Sequence, residues 1–363
     1  MIEIKDITRG SVKRKAINII YMSAITFKPK QVTKRLLAPL SSRALDVMIK
    51  RYGLGEETTR MTLDAIGSTY GITRERVRQI ENFALSLIKK SDAFKKESAI
   101  FDELQQLVIS MGGIVCEEDF LMHLAKDEST QNHLYFLLVL GDEFKREKED
   151  EHFKHRWIVD DKVSIKVHQA IKDLYASLSQ EDLIPESEMI ASFLTHLKDV
   201  SERYKNEEIT KRWLSLSKTI AKNPLGEWGM AKSPNVNARG MRDYAYLILR
   251  KQGSPMHFSE VAEAIADIFH KKAHIATCHN ELIKDNRFVL VGRGLYALSS
   301  WGYEKGVVKD VIVKVLKKEG PLSKKEIIDR VLKERYVKEN TVFVNLQDTK
   351  LFKKTKEGKY ALA

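Results

Sequence analysis

The stretch from Thr62 to Glu81, TLDAIGSTYGITRERVRQIE, constrains this chain more tightly than any other. Leu63, Ile66, Tyr70, Ile72, Val77 and Ile80, with Ala84 beyond them, recur at helical spacing. That pattern predicts two helices closing a small core beneath a tight turn. Gly67 falls where the helices must approach closely, and Gly71 where the turn needs a positive φ. Thr73, Arg74, Glu75, Arg76, Arg78 and Gln79 are then left at the outward-facing start of the second helix. Arginine pairs guanine edges, glutamine pairs adenine and glutamate accepts from cytosine, so this face carries base-reading chemistry. The competing reading is an ordinary helix with a charged, solvated face. The glycine spacing and the polar face independently favour the helix-turn-helix.

These residues, with LSSRALDVMIKRYGL from Leu40 to Leu54 before them, resemble the fourth conserved region of the bacterial sigma-70 family. The resemblance runs from about Leu36 to Leu87 and rests on RYGL at 51–54, TL-x-x-IG at 62–67 and ITRERVRQIE at 72–81. It implies reading of a promoter −35 element and docking on the β flap of RNA polymerase. By position, Arg74, Glu75 and Gln79 would contact bases, with Arg76 and Arg78 near phosphates or protein. The residues before the match hold no run of interleaved aromatics and basics suited to stacking single-stranded bases. The chain is therefore expected not to open a promoter alone.

Charge is segregated along the 363 residues, whose formal net charge is +12. Residues 1–97 carry +10, residues 98–161 carry −9 and residues 162–363 carry +11. The total favours a polyanionic partner, while the acidic block suggests one module that faces protein. Cys116 and Cys278 cannot build a disulfide framework and read as reduced thiols of a cytosolic protein. The apolar run Ala16–Phe27 after Lys13-Arg14-Lys15 imitates a signal peptide but contains Asn18 and lacks a cleavage site. A short amphipathic helix is expected there. No segment approaches the length of a membrane span.

The rest of the chain repeats itself. Phe288-VLVGR-Gly294-Leu-Tyr296-Ala-Leu298 aligns without a gap to Phe352-KKTKE-Gly358-Lys-Tyr360-Ala-Leu362, each a predicted β-hairpin. Upstream, Gly253-Ser-Pro255 precedes a helix over 258–269 and Gly320-Pro321 precedes one over 323–334, with Ser259 and Ser323 near N-caps. Helix, short strand, two helices and a hairpin make a winged helix-turn-helix. Residues 239–301, through RDYAYLILRKQGSPMHFSEVAEAI and HNELIKDNRFVLVGRGLYAL, resemble the HARE helix-turn-helix family, known from the RNA polymerase delta subunit. That family offers no catalytic residues to transfer. Residues 306–363 read as a divergent second copy. Residues 99–160 and 163–230 fit the plan less well, with helices expected at 165–178, 186–197 and 207–221. Linkers are expected at 91–98, 160–161, 223–240 and 300–306.

The predicted fold is mainly α with small β-hairpin wings, a tandem helix-turn-helix and winged-helix array. Its expected parts are a helical extension (1–35), a region 4-like domain (36–97), an acidic winged unit (98–161), a helical winged unit (162–237), a HARE-type unit (238–302) and a basic winged unit (303–363). In the HARE-type unit, His279, Asn280 and Lys284 occupy the recognition helix and Arg293 the wing tip; contact with DNA and bonding within the fold both remain open for them. In the last unit Lys350, Lys353, Lys354, Lys356 and Lys359 make a wing suited to phosphates rather than bases. His270, His274 and Cys278 would share a helical stripe only if no turn intervened, so no metal site is assigned. No Gly-rich phosphate loop, nucleophile elbow or His-Glu-x-x-His helix is present, and neither an enzyme nor a cofactor is expected. The sequence points to a cytoplasmic, nucleoid-associated protein that binds double-stranded DNA in transcription, reading a −35-like element. The alternative is an adaptor that docks on the polymerase β flap without reading bases, through the apolar surface of 40–54 and the acidic block.

Overall fold

The computed structural model describes residues 25–198, 200–303, 306–335 and 337–363. It is mostly helical with small antiparallel hairpins, as the patterning predicts. The helix expected over Ala16–Phe27 lies, up to residue 24, outside the described residues. The chain divides into two compact units, the first made of residues to Ser177 with Ile190–Thr219, the second of Leu178–Met189 with Ile220–Ala363.

In the first unit, α1 (Pro29–Leu37) opens on a proline that needs no amide partner there, and it runs across the boundary expected between the extension and the region 4-like domain. α2 (Ser42–Tyr52) is capped by Ser41 and stopped by Gly53 at φ 61°. α3 (Leu63–Tyr70) and α4 (Arg74–Lys90) follow. The expected linker at 91–98 is instead helical: α5 (Asp92–Lys96) sets Phe94 against Phe101, ring centres 4.8 Å apart. Next come α6 (Ser98–Ser110), β1 (Ile114–Cys116), α7 (Glu117–Leu124), α8 (Glu128–Leu140), β2 (Lys145–Glu147) and β3 (Arg156–Ile158). This is a full winged-helix order, its sheet arranged β1-β3-β2 with Trp157 opposite Val115 and Arg146.

α8 holds the position from which a winged helix normally enters a DNA groove. Here it cannot. Its second half has no polar face, and Leu134, Phe136, Leu137, Leu138 and Leu140 are all buried. They share one core with Leu36, Leu40, Ala44, Met48 and Tyr52 of the helices before it, so the core runs straight through the boundary expected at 97/98. The apolar surface of 40–54 expected to meet a partner is thus largely covered by the acidic module. Asn132 locks the contact. Its side-chain amide donates to the carbonyls of Gly53 (3.0 Å) and Thr58 (2.7 Å), and its oxygen accepts from Arg60 Nε at 2.6 Å. Arg60 in turn lies over the Tyr135 ring, 3.9 Å from its centre.

α9 (Asp161–Ser177), α10 (Glu186–His196) and α11 (Glu207–Ser215) come next. α11 is shorter than expected because the chain turns at Leu216. Trp213 on α11 is fully buried and donates to the Gly112 carbonyl at 3.2 Å. A Cβ at Gly112 would lie 2.7 Å from both Ile209 and Trp213, which is why a glycine stands there.

In the second unit, β4 (Ile220–Lys222) and β5 (Trp228–Met230) form a hairpin, and Ile184 bridges to Trp228. α12 (Met241–Gln252), β6 (Met256–His257), α13 (Phe258–Phe269), α14 (Ile275–Lys284), β7 (Phe288–Leu290) and β8 (Leu295–Leu298) make a complete winged helix around Ala245, Leu249, Val261, Ile265, Leu282 and Phe288. α13 is capped by His257, whose ring accepts from the Ser259 amide, so Ser259 lies inside the helix rather than at its cap. α15 (Val308–Glu319), α16 (Lys324–Glu334), α17 (Glu339–Leu346), β9 (Phe352–Lys354) and β10 (Tyr360–Leu362) repeat the plan, with Leu322 bridging Tyr360 and Ser323 capping α16. The stretch 223–240 is no linker: it carries β5 and buries Asn223, Ser233, Asn235 and Val236. Arg335, also buried, donates to the carbonyls of Leu290 (2.9 Å) and Gly306 (2.7 Å), tying the last module to the wing of the one before.

Asn132→Ala strands two carbonyls and a guanidinium, and is expected to lower stability by about 3 kcal/mol in urea denaturation of the whole chain. A loss under about 0.5 kcal/mol, the level of ordinary surface changes, would remove Asn132 from the role given to it. His168 supplies a pH test. Burial and the nearby Arg156 guanidinium push its imidazole from 6.5 down to about 4, so it is neutral in the fold. The unfolded chain then binds the extra proton, and stability should fall as pH drops from about 6.5 towards 4. Thermal melts of His168→Gln across that window should show a flatter decline.

Candidate nucleic-acid interface

The second helix of the helix-turn-helix, α4, is positioned from below by a compact set of contacts. Val47, Ile66 and Val77 form a small separate core, covered by Met61, Leu63, Tyr70, Ile72 and Ile80. Ala84, expected in this cluster, belongs to the main core instead. Thr62 caps α3 by accepting from Ala65 N at 3.1 Å, and Thr73 caps α4 by accepting from Arg76 N at 3.2 Å. A Cβ on Gly67 would lie 2.6 Å from the Ile72 carbonyl oxygen, so the turn closes only over glycine. Gly71 faces open space, and its φ of 61° alone calls for glycine.

The RYGL motif now has a mechanical account. Arg51 Nε and the Tyr52 hydroxyl both donate to Glu81 Oε1, at 3.2 and 2.8 Å. Glu81 is the buried anchor of α4, so these bonds set the angle at which the helix leaves the domain. Burial and the adjacent Glu81 carboxylate raise the Tyr52 phenol far above its ordinary range, keeping it a donor. Gly53 supplies the left-handed stop, and Leu54 lines a groove along α1 and α2.

Thr73, Arg74, Glu75, Arg76, Arg78 and Gln79 are all exposed at the start of α4. They are paired among themselves. Arg78 donates to Glu75 through two nitrogens at 2.8 and 2.7 Å, and Arg76 donates to Gln79 Oε1 at 3.0 Å. Arg74, with 69% of its side chain exposed, stands 3.8 Å from Asp64. Such exposed pairs cost little to exchange for a ligand. The Arg78 hydrogen bond holds the Glu75 carboxyl below its usual range, so it remains an ionised acceptor. A depression of about 500 Å³ beside this face joins Arg76 and Gln79 to Arg43 of α2 and to Phe83. Sequence reasoning missed the last two. Arg43 follows the Ser41 cap, and Phe83, 65% exposed, stands seven positions after Arg76 on the same helical stripe.

The other expected contacts lie in the second unit. His279 is half-buried, stacked on Phe258 at 4.2 Å and edge-on to Tyr296 at 5.9 Å, which takes its ring away from the outward face. Asn280 and Lys284 are exposed on α14, as is Arg293 in the turn between β7 and β8. α13 ends at His270, in the left-handed region at φ 51°, and α14 begins at Ile275; His270, His274 and Cys278 therefore share no helix. In the last module Lys350, Lys353, Lys354, Lys356 and Lys359 are exposed, and none has an ion pair among the described residues. Among the described residues no helix is long and apolar enough to cross a membrane.

Residues 36–90 match the family described as sigma-70, region 4, and residues 239–301 match the HARE-HTH family, a helix-turn-helix domain of ASXL and restriction endonuclease proteins. A relative, RNA polymerase sigma factor RpoS of Coxiella burnetii (strain RSA 493 / Nine Mile phase I), is 46% identical over 56 residues. That match covers 15% of this chain and 16% of the relative's length. Two stretches of the chain thus match helix-turn-helix families, and together with the sigma-factor relative they support a DNA-binding, transcription-related role.

Proposed function

We propose that the chain binds double-stranded DNA in bacterial transcription and reads a promoter −35-like element with α4. The observation that carries this reading is the exposure of Arg74, Glu75 and Gln79 on a helix whose opposite face is fixed by Glu81. A rigid helix start with three different base-pairing side chains offers a hydrogen-bond pattern that discriminates sequence in a major groove. Thr73, Arg76 and Arg78, joined by Arg43, would hold phosphates and fix register. Asn280, Lys284 and Arg293 of the HARE-type module are available for a further contact, and Lys353, Lys354 and Lys356 for phosphates.

A second reading, an adaptor that docks on the β flap of RNA polymerase, is favoured by one observation. A groove of about 740 Å³ lies along α1 and α2, walled by Leu37, Ala38, Leu45, Ile49 and Leu54. It is the part of the 40–54 surface that α8 leaves open, and its size suits an apolar helix of a partner.

Selection from random duplexes should return a −35-like motif with the intact chain. Arg74→Ala or Gln79→Ala should then cost about 1–3 kcal/mol in binding and relax preference at one position. Unchanged affinity and preference in Arg74→Ala would defeat base reading, and an absent motif would leave the adaptor reading. Replacing Lys353, Lys354 and Lys356 together by alanine should weaken binding to every duplex alike, with a salt dependence shallower by about 0.9 for each phosphate-bound lysine removed. Anisotropy titrations over a range of salt concentrations measure it.

A further inference from the structure

The loop from Ala231 to Gly240 is pinned from beneath with unusual care for a connection. Ser233 and Asn235 are buried; Ser233 Oγ donates to the Gln180 carbonyl at 2.8 Å, and Asn235 bonds both Glu181 and Arg287 at 3.4 Å. Asp243 is buried below the end of the loop. Its carboxylate accepts from the amides of Arg239 (3.2 Å) and Gly240 (3.1 Å) and from Arg287 (3.0 Å). Arg287 is also held by Asp285 at 2.7 Å, so the Asp243 and Asp285 carboxylates are already committed, while Glu181 accepts from Asn235. The outer side is different. Lys232, Arg239 and Arg242, all exposed, line one depression of about 600 Å³ together with Asn237. None of the three cations has an ion pair among the described residues.

We propose that Lys232, Arg239 and Arg242 form a phosphodiester-binding site for duplex DNA, separate from the reading helix. Three cations without an ion pair among the described residues stand around one concavity, whose lining carboxylate, Asp243, is already bonded to two backbone amides and to Arg287, and this arrangement suits a polyanion. Arginine presents its planar fork to two phosphate oxygens at once, and the Asn237 amide adds an uncharged donor. Contact of this kind fixes position and adds affinity without reading sequence. The site presupposes the DNA-binding reading proposed for the chain.

The test uses the full chain. The triple variant K232A/R239A/R242A is titrated against a 30-base-pair duplex of mixed sequence from low to high salt, beside the charge-matched variant K317A/K318A/K333A and the unmodified protein. The plot of log affinity against log salt should flatten by up to about 2.7 in the first variant, about 0.9 for each phosphate neutralised. At physiological salt its affinity should fall at least about tenfold, while the motif returned from random duplexes stays the same. The charge-matched control should keep the original slope. An unchanged slope in the first variant, or equal flattening in the control, overturns the site. Preferential loss of RNA binding with duplex binding retained overturns the assignment to DNA. Failure of the unmodified chain to bind any duplex instead removes the DNA-binding reading itself. Equal thermal midpoints for the three proteins establish that folding is not what differs.

Discussion

One side-chain amide joins what would otherwise be two domains. Asn132 reaches from α8 into the loop after the RYGL motif and satisfies two backbone carbonyls there, while its own oxygen is satisfied by Arg60. Both carbonyls belong to a segment with no regular partner, between the end of α2 and the start of α3. Unpaired and buried, each would cost about 1–3 kcal/mol. Gly53 is the geometric condition for the lock, since a Cβ there would sit 2.6 Å from the Asn132 nitrogen and 2.2 Å from the Thr58 oxygen. Through Gly53 the lock touches the same motif that anchors α4 by way of Arg51, Tyr52 and Glu81. The orientation of α4 and the docking of the acidic module therefore share one short stretch of chain.

The winged-helix plan is put to two uses in this protein. In the acidic module the third helix, α8, is a protein contact and carries apolar residues on every side of its second half. In the next module the corresponding helix, α11, inserts Trp213 over Gly112 of the module before it. These third helices are knobs that stack modules. α14 and α17 keep polar outward residues exposed, Asn280 and Lys284 on one and Glu339, Asn340 and Thr341 on the other. What separates the two uses is the composition of a single helix, not the fold around it. The negative charge of residues 98–161 agrees with this division, because a module that serves as scaffold has no need to attract phosphates.

Much of this was legible in the sequence wherever a local rule decides the outcome. Gly67 and Gly71 fix a turn that tolerates little else, and α13 runs from Phe258 to Phe269 because its apolar period and its glycine-proline start say so. The hairpins at 288–298 and 352–362 declare themselves by alternation and a glycine at φ 68° or 80°. The failures have a common cause. Residues 91–98 and 223–240 look like linkers because they are polar or rich in turn formers, but tertiary partners decide their state: Phe94 finds Phe101, and Ser233 finds the Gln180 carbonyl. Ser259 has the better capping propensity, yet His257 takes the role because β6 delivers it to the helix start. Arg43 and Phe83 were missed because they join Arg76 and Gln79 only in space. His279 occupies a recognition position by count, and only the neighbouring Phe258 ring explains why it turns inward.

The shared core also determines whether the acidic module could ever release α8 and offer it to DNA, as a conformational switch would require. Exposing Leu134, Phe136, Leu137, Leu138 and Leu140 would forfeit about 1.5–3 kcal/mol for each side chain. The sum is on the order of 10 kcal/mol, comparable to the whole stability of an ordinary domain. Phosphate contacts offer no compensation, because α8 presents no lysine or arginine from Glu128 to Leu140 to make them. Undocking α8 would therefore unfold the region around it before it offered a free helix face. The acidic module is a brace for the helix-turn-helix, and α8 is held in the core as part of that brace.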